Sequence, residues 1–275
     1  MRRRIARFPW FLLFLLLALP GARAQSSANS EAPVPVGYEN DVYCFGYVGA
    51  PSEKFSGVII SADAIAEQVD YFEGDVIYAD SPGGVRAGDE YWLLSPQEEL
   101  LDPSTGDDLG MFYQYRGRAR ALCVKGEVSI LQIVFACTDI PRGTMLKPFE
   151  PIPVPLARHT LAMGICDDPN GKRVGHIVYS RDGVYGLAAG YDVIVNMGAD
   201  ANLSPGDFLT VFRYSVPPEA DISTTGQLYA MRTDIAFPRT LLGEAAVLTV
   251  GDHTSTVRIT GSQRSMEVGD LVEIK

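Results

Sequence analysis

Positive charge is scarce in this chain. Its 275 residues carry 23 Lys+Arg against 34 Asp+Glu, a formal net charge of −11. Five of those arginines (Arg2, Arg3, Arg4, Arg7, Arg23) sit in a leading segment without acids, so the rest is more acidic still. Each phosphate contact needs a Lys or Arg, so nucleic acid and anionic lipid are excluded as partners. Histidine is rarer: His159, His176 and His253 are all there are. The four cysteines include no CxxC spacing, so no zinc site is expected, and no cofactor. No G-x-S-x-G nucleophile elbow occurs. Helical periodicity is nearly absent, Ala62–Tyr71 being the one short candidate, and no long apolar run follows the leading segment.

What is present starts with that segment. Four arginines, an apolar run from Trp10 to Leu19, the breakers Pro20-Gly21 and the small-x-small Ala22-Arg23-Ala24 read as a signal peptide over 1–24. The apolar run is about half of the ~20 residues a bilayer span needs. The expected location is therefore periplasmic or otherwise exported to a bacterial envelope, with no membrane span after cleavage. Residues 25–40 are small, polar and Pro-containing, and read as a flexible leader. An oxidising compartment permits disulfides among Cys44, Cys123, Cys137 and Cys166. Cys123 and Cys137 flank one predicted hairpin without standing opposite each other. A bridge from Cys44 to one of them is the first reading, and free thiols are the alternative.

Alternating prolines over 148–157 (Pro148, Pro151, Pro153, Pro155) predict an extended, stiff linker. The stretches on either side, 41–147 and 158–275, resemble each other. Gly117, Ala119, Leu122, Val124, Ser129, Ile133 and Gly143 recur at one constant offset as Gly243, Ala245, Leu248, Val250, Ser255, Ile259 and Gly269. Further upstream Gly57-Val-Ile-Ile matches Gly175-His-Ile-Val, and Gly88-Asp89 matches Gly206-Asp207. Ordered matches of this kind mean a tandem duplication. Within each unit, short apolar runs alternate with Gly, Asp, Pro and Asn clusters, and Thr256–Thr260 alternates with period two. The fold class expected is all-β: two tandem duplicated small antiparallel barrel-like or sandwich-like domains.

Gly88-Asp89, Gly206-Asp207 and Gly269-Asp270 read as structural turns. Glycine supplies a positive φ, and the Asp carboxylate can bond its own backbone two residues on. Other acids offer little chemistry by pattern. Asp107-Asp108 and Asp167-Asp168 lie in predicted loops, and Asp167–Gly171 lacks the twelve-residue spacing and closing Glu of a calcium loop. Asp252-His253-Thr254-Ser255 falls in a hairpin turn, where polar residues are expected anyway. No catalytic or metal residue is assigned. Binding candidates are aromatic: Tyr91, Trp92, Tyr113, Tyr115, Phe212 and Tyr214, which could stack on sugars or anchor a protein, against the competing reading that most are core.

The ordered set Arg86-Ala-Gly-Asp-Glu-Tyr-Trp-Leu-Leu, Asp102-Pro-Ser-Thr-Gly-Asp-Asp-Leu-Gly110, Gly117-Arg-Ala-Arg-Ala-Leu and Pro141-Arg-Gly-Thr-Met-Leu resembles the non-LysM C-terminal β region of bacterial LysM-type cell-envelope proteins. A looser likeness is to the C-terminal domain of the flagellar assembly protein T family. The second unit keeps Asp192–Gly198, Gly206-Asp207 and Val268-Gly-Asp-Leu-Val, but has Asp221–Gly226 in place of the DP-x-TG element. No LysM module is present. The resemblance implies a non-catalytic envelope accessory with protein partners, with peptidoglycan or another glycan as the alternative ligand and an envelope hydrolase as the third reading.

Overall fold

A computed structural model describes residues 34–63, 68–157, 164, 166–214 and 238–275. The signal segment 1–24, most of the leader, His159 and the Asp221–Gly226 stretch lie outside the described residues. A short helix α1 (Glu39–Tyr43) leads into β1 (Gly46–Gly49). The first unit continues with β2 (Gly57–Ala62), β3 (Asp70–Tyr71), β4 (Val76–Asp80), β5 (Glu90–Leu101), β6 (Asp108–Lys125), β7 (Val128–Ala136), β8 (Ile140–Pro141) and β9 (Met145–Pro148). The second has β10 (Val174–Ser180), β11 (Asp192–Val195), β12 (Phe208–Tyr214), β13 (Arg239–Val250), β14 (Ser255–Ser262) and β15 (Leu271–Ile274). Among the described residues no helix is long and apolar enough to cross a membrane.

Each unit closes into a six-stranded antiparallel barrel. In barrel 1 the order is β6-β5-β9-β2-β4-β7, closed by β7 pairing with β6. In barrel 2 it is β13-β12-β15-β10-β11-β14, closed by β14 pairing with β13. The orders coincide strand for strand, so the duplication seen in residue identities is also a duplication of topology.

The correspondence reaches single hydrogen bonds. Gly88 N–H donates to the Ala121 carbonyl (2.8 Å) and Ala121 N–H to that of Asp89 (2.9 Å); Gly206 N–H donates to Val247 (2.9 Å) and Val247 N–H to Asp207 (2.9 Å). β-Bulges recur too, between Ile59 and Ser61 as between Ile177 and Tyr179, and between Ala121 and Cys123 as between Val247 and Thr249. Bulges bend strands enough to close a small barrel. Gly117 and Gly243 mark one such corner: a Cβ at either would run into a carbonyl of the neighbouring strand, Phe135 or Gly261. That close approach accounts for the Gly117/Gly243 identity.

Period-two alternation sets what is inside. Ile77, Ala79, Tyr91, Leu93, Leu131 and Ile133 fill barrel 1, while Val193, Val195, Leu209, Val211, Val257 and Ile259 fill barrel 2. The inner sheet faces bury almost completely, which supplies the main stabilising term for a fold without long helices.

Two expectations are corrected. At the two ends of Ala62–Tyr71 the chain is strand and not helix: Ala62 ends β2 and Asp70–Tyr71 is the short strand β3, paired with β8, while 64–67 lie outside the described residues. Tyr71 is fully buried in the core of barrel 1. The end of the leader is not free either. Val36 N–H donates to Pro155 (2.9 Å), Ala157 N–H to Val34 (2.7 Å), and Glu39–Asn40 belong to α1. The Pro-rich linker is anchored through Phe149, Ile152 and Val154, which pack on the aromatic cluster described next.

Candidate functional site

The outer faces of the barrels meet across α1, β1 and the outer half of the β5–β6 hairpin. β6 is long enough to leave barrel 1 and pair with β1 over Met111–Gln114, forming an arm. On one side of it Phe45, Leu100 and Phe112 pack with Val178 and Ile194 of barrel 2. On the other, Tyr43, Trp92, Leu94, Tyr113 and Tyr115 pack with Leu248. Trp92 is enclosed by the rings of Tyr43 (5.1 Å), Tyr115 (4.6 Å) and Phe149 (4.6 Å).

Polar links follow the same seam. Thr256 Oγ1 donates to the Gly46 carbonyl (3.1 Å) and an Arg181 guanidinium N–H to that of Cys44 (3.2 Å). Asn196 Nδ2 donates to the Asp102 carboxylate at the arm's turn. Burial opposes ionisation of Asp102, but bonds from the Ser104 hydroxyl and amide, Asn196 and the Thr105 amide outweigh it and bring its pKa down to about 2. Arg258 of β14 pairs with Asp41 of α1 (2.7 Å) and with Asp192 of β11 (3.1 Å). Burial, with Asp41 adding to it, outweighs Arg258 and Arg181 and raises Asp192 to about 7. Cys44 at the end of α1 is joined to Cys137 by a disulfide, while Cys123 and Cys166 are free thiols, Cys166 exposed.

Above this seam lies an apolar cleft of about 490 Å³. Tyr47 and Tyr115 wall it from barrel 1, Ile194 and Leu248 from barrel 2, and Ile152 and Pro155 of the linker close a third side. None of the residues lining it is charged. Behind Tyr47, its phenol bonds Glu53 (2.9 Å) and accepts from Lys147 Nζ (2.9 Å), which also pairs with Glu53. Burial first, then Glu53, push the Tyr47 hydroxyl far above its ordinary pKa, so the wall stays neutral. A neutral, apolar, partly aromatic cleft of this size suits an uncharged ligand.

The sequence-selected residues separate clearly. Of the aromatic candidates, Tyr91, Trp92, Tyr113, Tyr115 and Phe212 are buried, in agreement with the reading that most are core, and only Tyr115 also lines the cleft. Tyr91 faces the interior of barrel 1, and Trp92, Tyr113 and Tyr115 fill the seam. Only Tyr214 of the set is exposed, edge-on to Phe212 at 5.7 Å. The Gly-Asp pairs form turns with positive φ at Gly88, Gly206 and Gly269. The Asp207 and Asp270 carboxylates bond back three residues, to the amides of Ser204 (2.9 Å) and Glu267 (2.8 Å), and not two residues on.

Of the other polar candidates, His253 and the Asp167–Gly171 loop have structural partners, whereas His176 is held through its backbone and its buried Nδ1 has no partner among the described residues. His253 pairs with Asp200 (3.4 Å), and Asn196 takes the His176 amide (2.5 Å). In the Asp167–Gly171 loop the carbonyls of Asp167 and Asp168 accept from Arg239 (3.3 and 3.0 Å), which is itself paired with the buried Glu273 (2.5 Å). Among the described residues no cluster of His, Cys, Asp and Glu is placed to hold a metal ion. The cleft residues Tyr47, Ile152 and Leu248 were missed by sequence reasoning. The only signal was the aromatic Phe45-Gly46-Tyr47 run directly after Cys44.

Compared with known proteins, the chain matches no family model and no curated protein.

Proposed function

We propose that this protein is an exported, non-enzymatic accessory of the bacterial cell envelope that acts as an interaction or assembly scaffold. The observation that carries the reading is the seam. Two copies of one barrel are joined through two apolar clusters, a disulfide-anchored helix and side-chain links, so their outer surfaces are presented at a set spacing. A disulfide closing a long stretch of chain favours an oxidising compartment, in keeping with the signal segment. Envelope proteins are the expected partners. Site-specific cross-linking in the envelope tests this, and recovery of no protein neighbour overturns it.

The cleft favours a second reading, a glycan or peptidoglycan binding module. Tyrosine rings and threonines beside an uncharged apolar wall suit sugar faces. Incubation of the mature chain with purified sacculi decides between the two. Saturable retention that is lost in Tyr47→Ala supports the glycan reading, and absence of retention removes it.

A further inference from the structure

A strand edge is a template for a further strand unless something blunts it. The arm has two edges. On the β5 side, beyond the pairing with β9, it carries Pro96, Glu98 and Glu99, and its register is broken between Pro96 and Glu99 and again between Leu100 and Leu101. Proline, charge and bulges are the devices that keep an edge from pairing. The β1 side, Gly46-Tyr47-Val48-Gly49, has none of them: no charge, no proline and an unbroken register against Met111–Gln114. Backbone direction follows from that register, because alternate residues of an antiparallel strand turn N–H and C=O together toward one neighbour. The Gly46 carbonyl accepts from Thr256 Oγ1, so Gly46 and Val48 face away from β6, while Tyr47 and Gly49 bond to it. Pro96 fits the same phase, since it stands opposite Tyr113, whose own groups turn toward β1. Gly46 is thus closed off by β14, but Val48 N–H and C=O have no partner among the described residues. Val48 borders the apolar cleft of about 490 Å³, with the Leu248–Gly251 and Thr254–Thr256 ends of β13 and β14 as the opposite wall.

We propose that this cleft is a strand-addition site, in which an extended, uncharged segment of a partner protein pairs with β1. Val48 N–H donates to a carbonyl of the segment, and the Val48 carbonyl accepts from an N–H of the same residue. No charged residue lines the cleft, so a charged side chain brought there would lose water without gaining a partner. Alternate side chains of the segment meet Tyr47 and Tyr115 on one side of the arm and Ile194 on the other, which suits β-branched residues. This inference rests on the scaffold reading and adds to it where a partner docks and in what conformation. A sugar in the same cleft would use the tyrosine rings and make no demand on the main chain of Val48.

Selection of a displayed library of random heptapeptides on the mature chain, followed by synthesis of the selected sequences with blocked ends, tests it. The expected sequences are uncharged, with Val, Ile or Thr at alternate positions, and their affinity is insensitive to salt. Their binding shifts the Val48 amide resonance and slows its hydrogen exchange. N-methylation at the position opposite Val48 is expected to weaken binding at least tenfold, and N-methylation at either neighbour to change it little, because those N–H groups point away from β1. Val48→Pro removes the outward donor while leaving the bonds to β6, and should weaken binding several-fold where Val48→Thr does not. The methylation series on the wild-type chain decides the matter even where the proline variant unfolds. A selection that yields no peptide acting on the Val48 amide, or peptides indifferent to methylation at every position, overturns the proposal. So does retention on sacculi through the cleft without peptide binding. Photo-cross-linking in the envelope separates this inference from the reading beneath it. Protein neighbours captured from other surface positions but not from Thr249 remove the strand-addition site and leave the scaffold, whereas no neighbour from any position removes both.

Discussion

Arg213 grips Asp270 with two parallel hydrogen bonds, Nε to Oδ1 at 2.5 Å and an Nη to Oδ2 at 2.8 Å. At the corresponding place in barrel 1, Ser95 meets Thr144 hydroxyl to hydroxyl at 3.4 Å. One contact between equivalent strands has thus been written twice, once neutral and once ionic. The Asp270 side chain is buried while Arg213 is half exposed. Removing the arginine leaves a buried carboxylate with only the Glu267 amide for support. Arg213→Met is expected to cost about 1–3 kcal/mol, below the full cost of breaking a buried pair because solvent reaches the guanidinium. The double variant Arg213→Ser/Asp270→Thr, which copies barrel 1, should recover much of that. Urea unfolding of the three proteins measures it.

The Cys44–Cys137 bridge ties the end of α1 to the end of β7, with a sequence separation of 93. Closing so long a loop restricts the unfolded chain and is expected to contribute about 2–4 kcal/mol. Reduction, or Cys137→Ala, should lower the free energy of unfolding, read from denaturant titrations, by that amount. The same reductant should leave the Cys44→Ala/Cys137→Ala protein unchanged.

Asp192 makes stability depend on pH in a definite direction. Its pKa in the fold, about 7, lies above the ordinary carboxylate value, so the folded chain holds an extra proton. That contribution is fully present below about pH 4 and is lost as pH rises through about 7. Between these limits wild type should lose stability relative to Asp192→Asn, and the difference should level off at higher pH. Denaturant titrations in half-unit steps would show it. Asp102 has the opposite sign: its contribution is present above pH 4 and is lost as pH falls toward 2.

Trp92 reports on the seam. Enclosed by Tyr43, Tyr115 and Phe149, it is expected to emit in the blue, at the wavelength of a buried indole. In a chain lacking residues 1–24 it is the only tryptophan. Phe149→Ala opens the linker side and should shift its emission to the red without unfolding either barrel core. An unshifted spectrum would mean that the linker does not shield the indole.

Some of this organisation was legible residue by residue. Tyr91 and Leu93 alternate with Trp92 and Leu94, and the first pair does face the barrel interior. What alternation could not say is that the outer pair is buried as well, beneath a helix, a linker and a second barrel. Period two divides a strand into two faces, and whether the second face meets water depends on what packs there. For the same reason alternation left the aromatic set open between core and binding surface.

By itself the sequence determined the all-β class, the duplication and its turns. These rest on local physics: glycine where φ must be positive, Asp closing a turn of four residues, and side chains alternating every second position. Only the tertiary structure decided that the β5–β6 arm lies across Val178 and Ile194 and that Cys44 joins Cys137. It alone assembled the cleft from Tyr47, Leu248 and the prolines of the linker. Such contacts join residues scores of positions apart, and no local preference specifies which distant surfaces will bury one another.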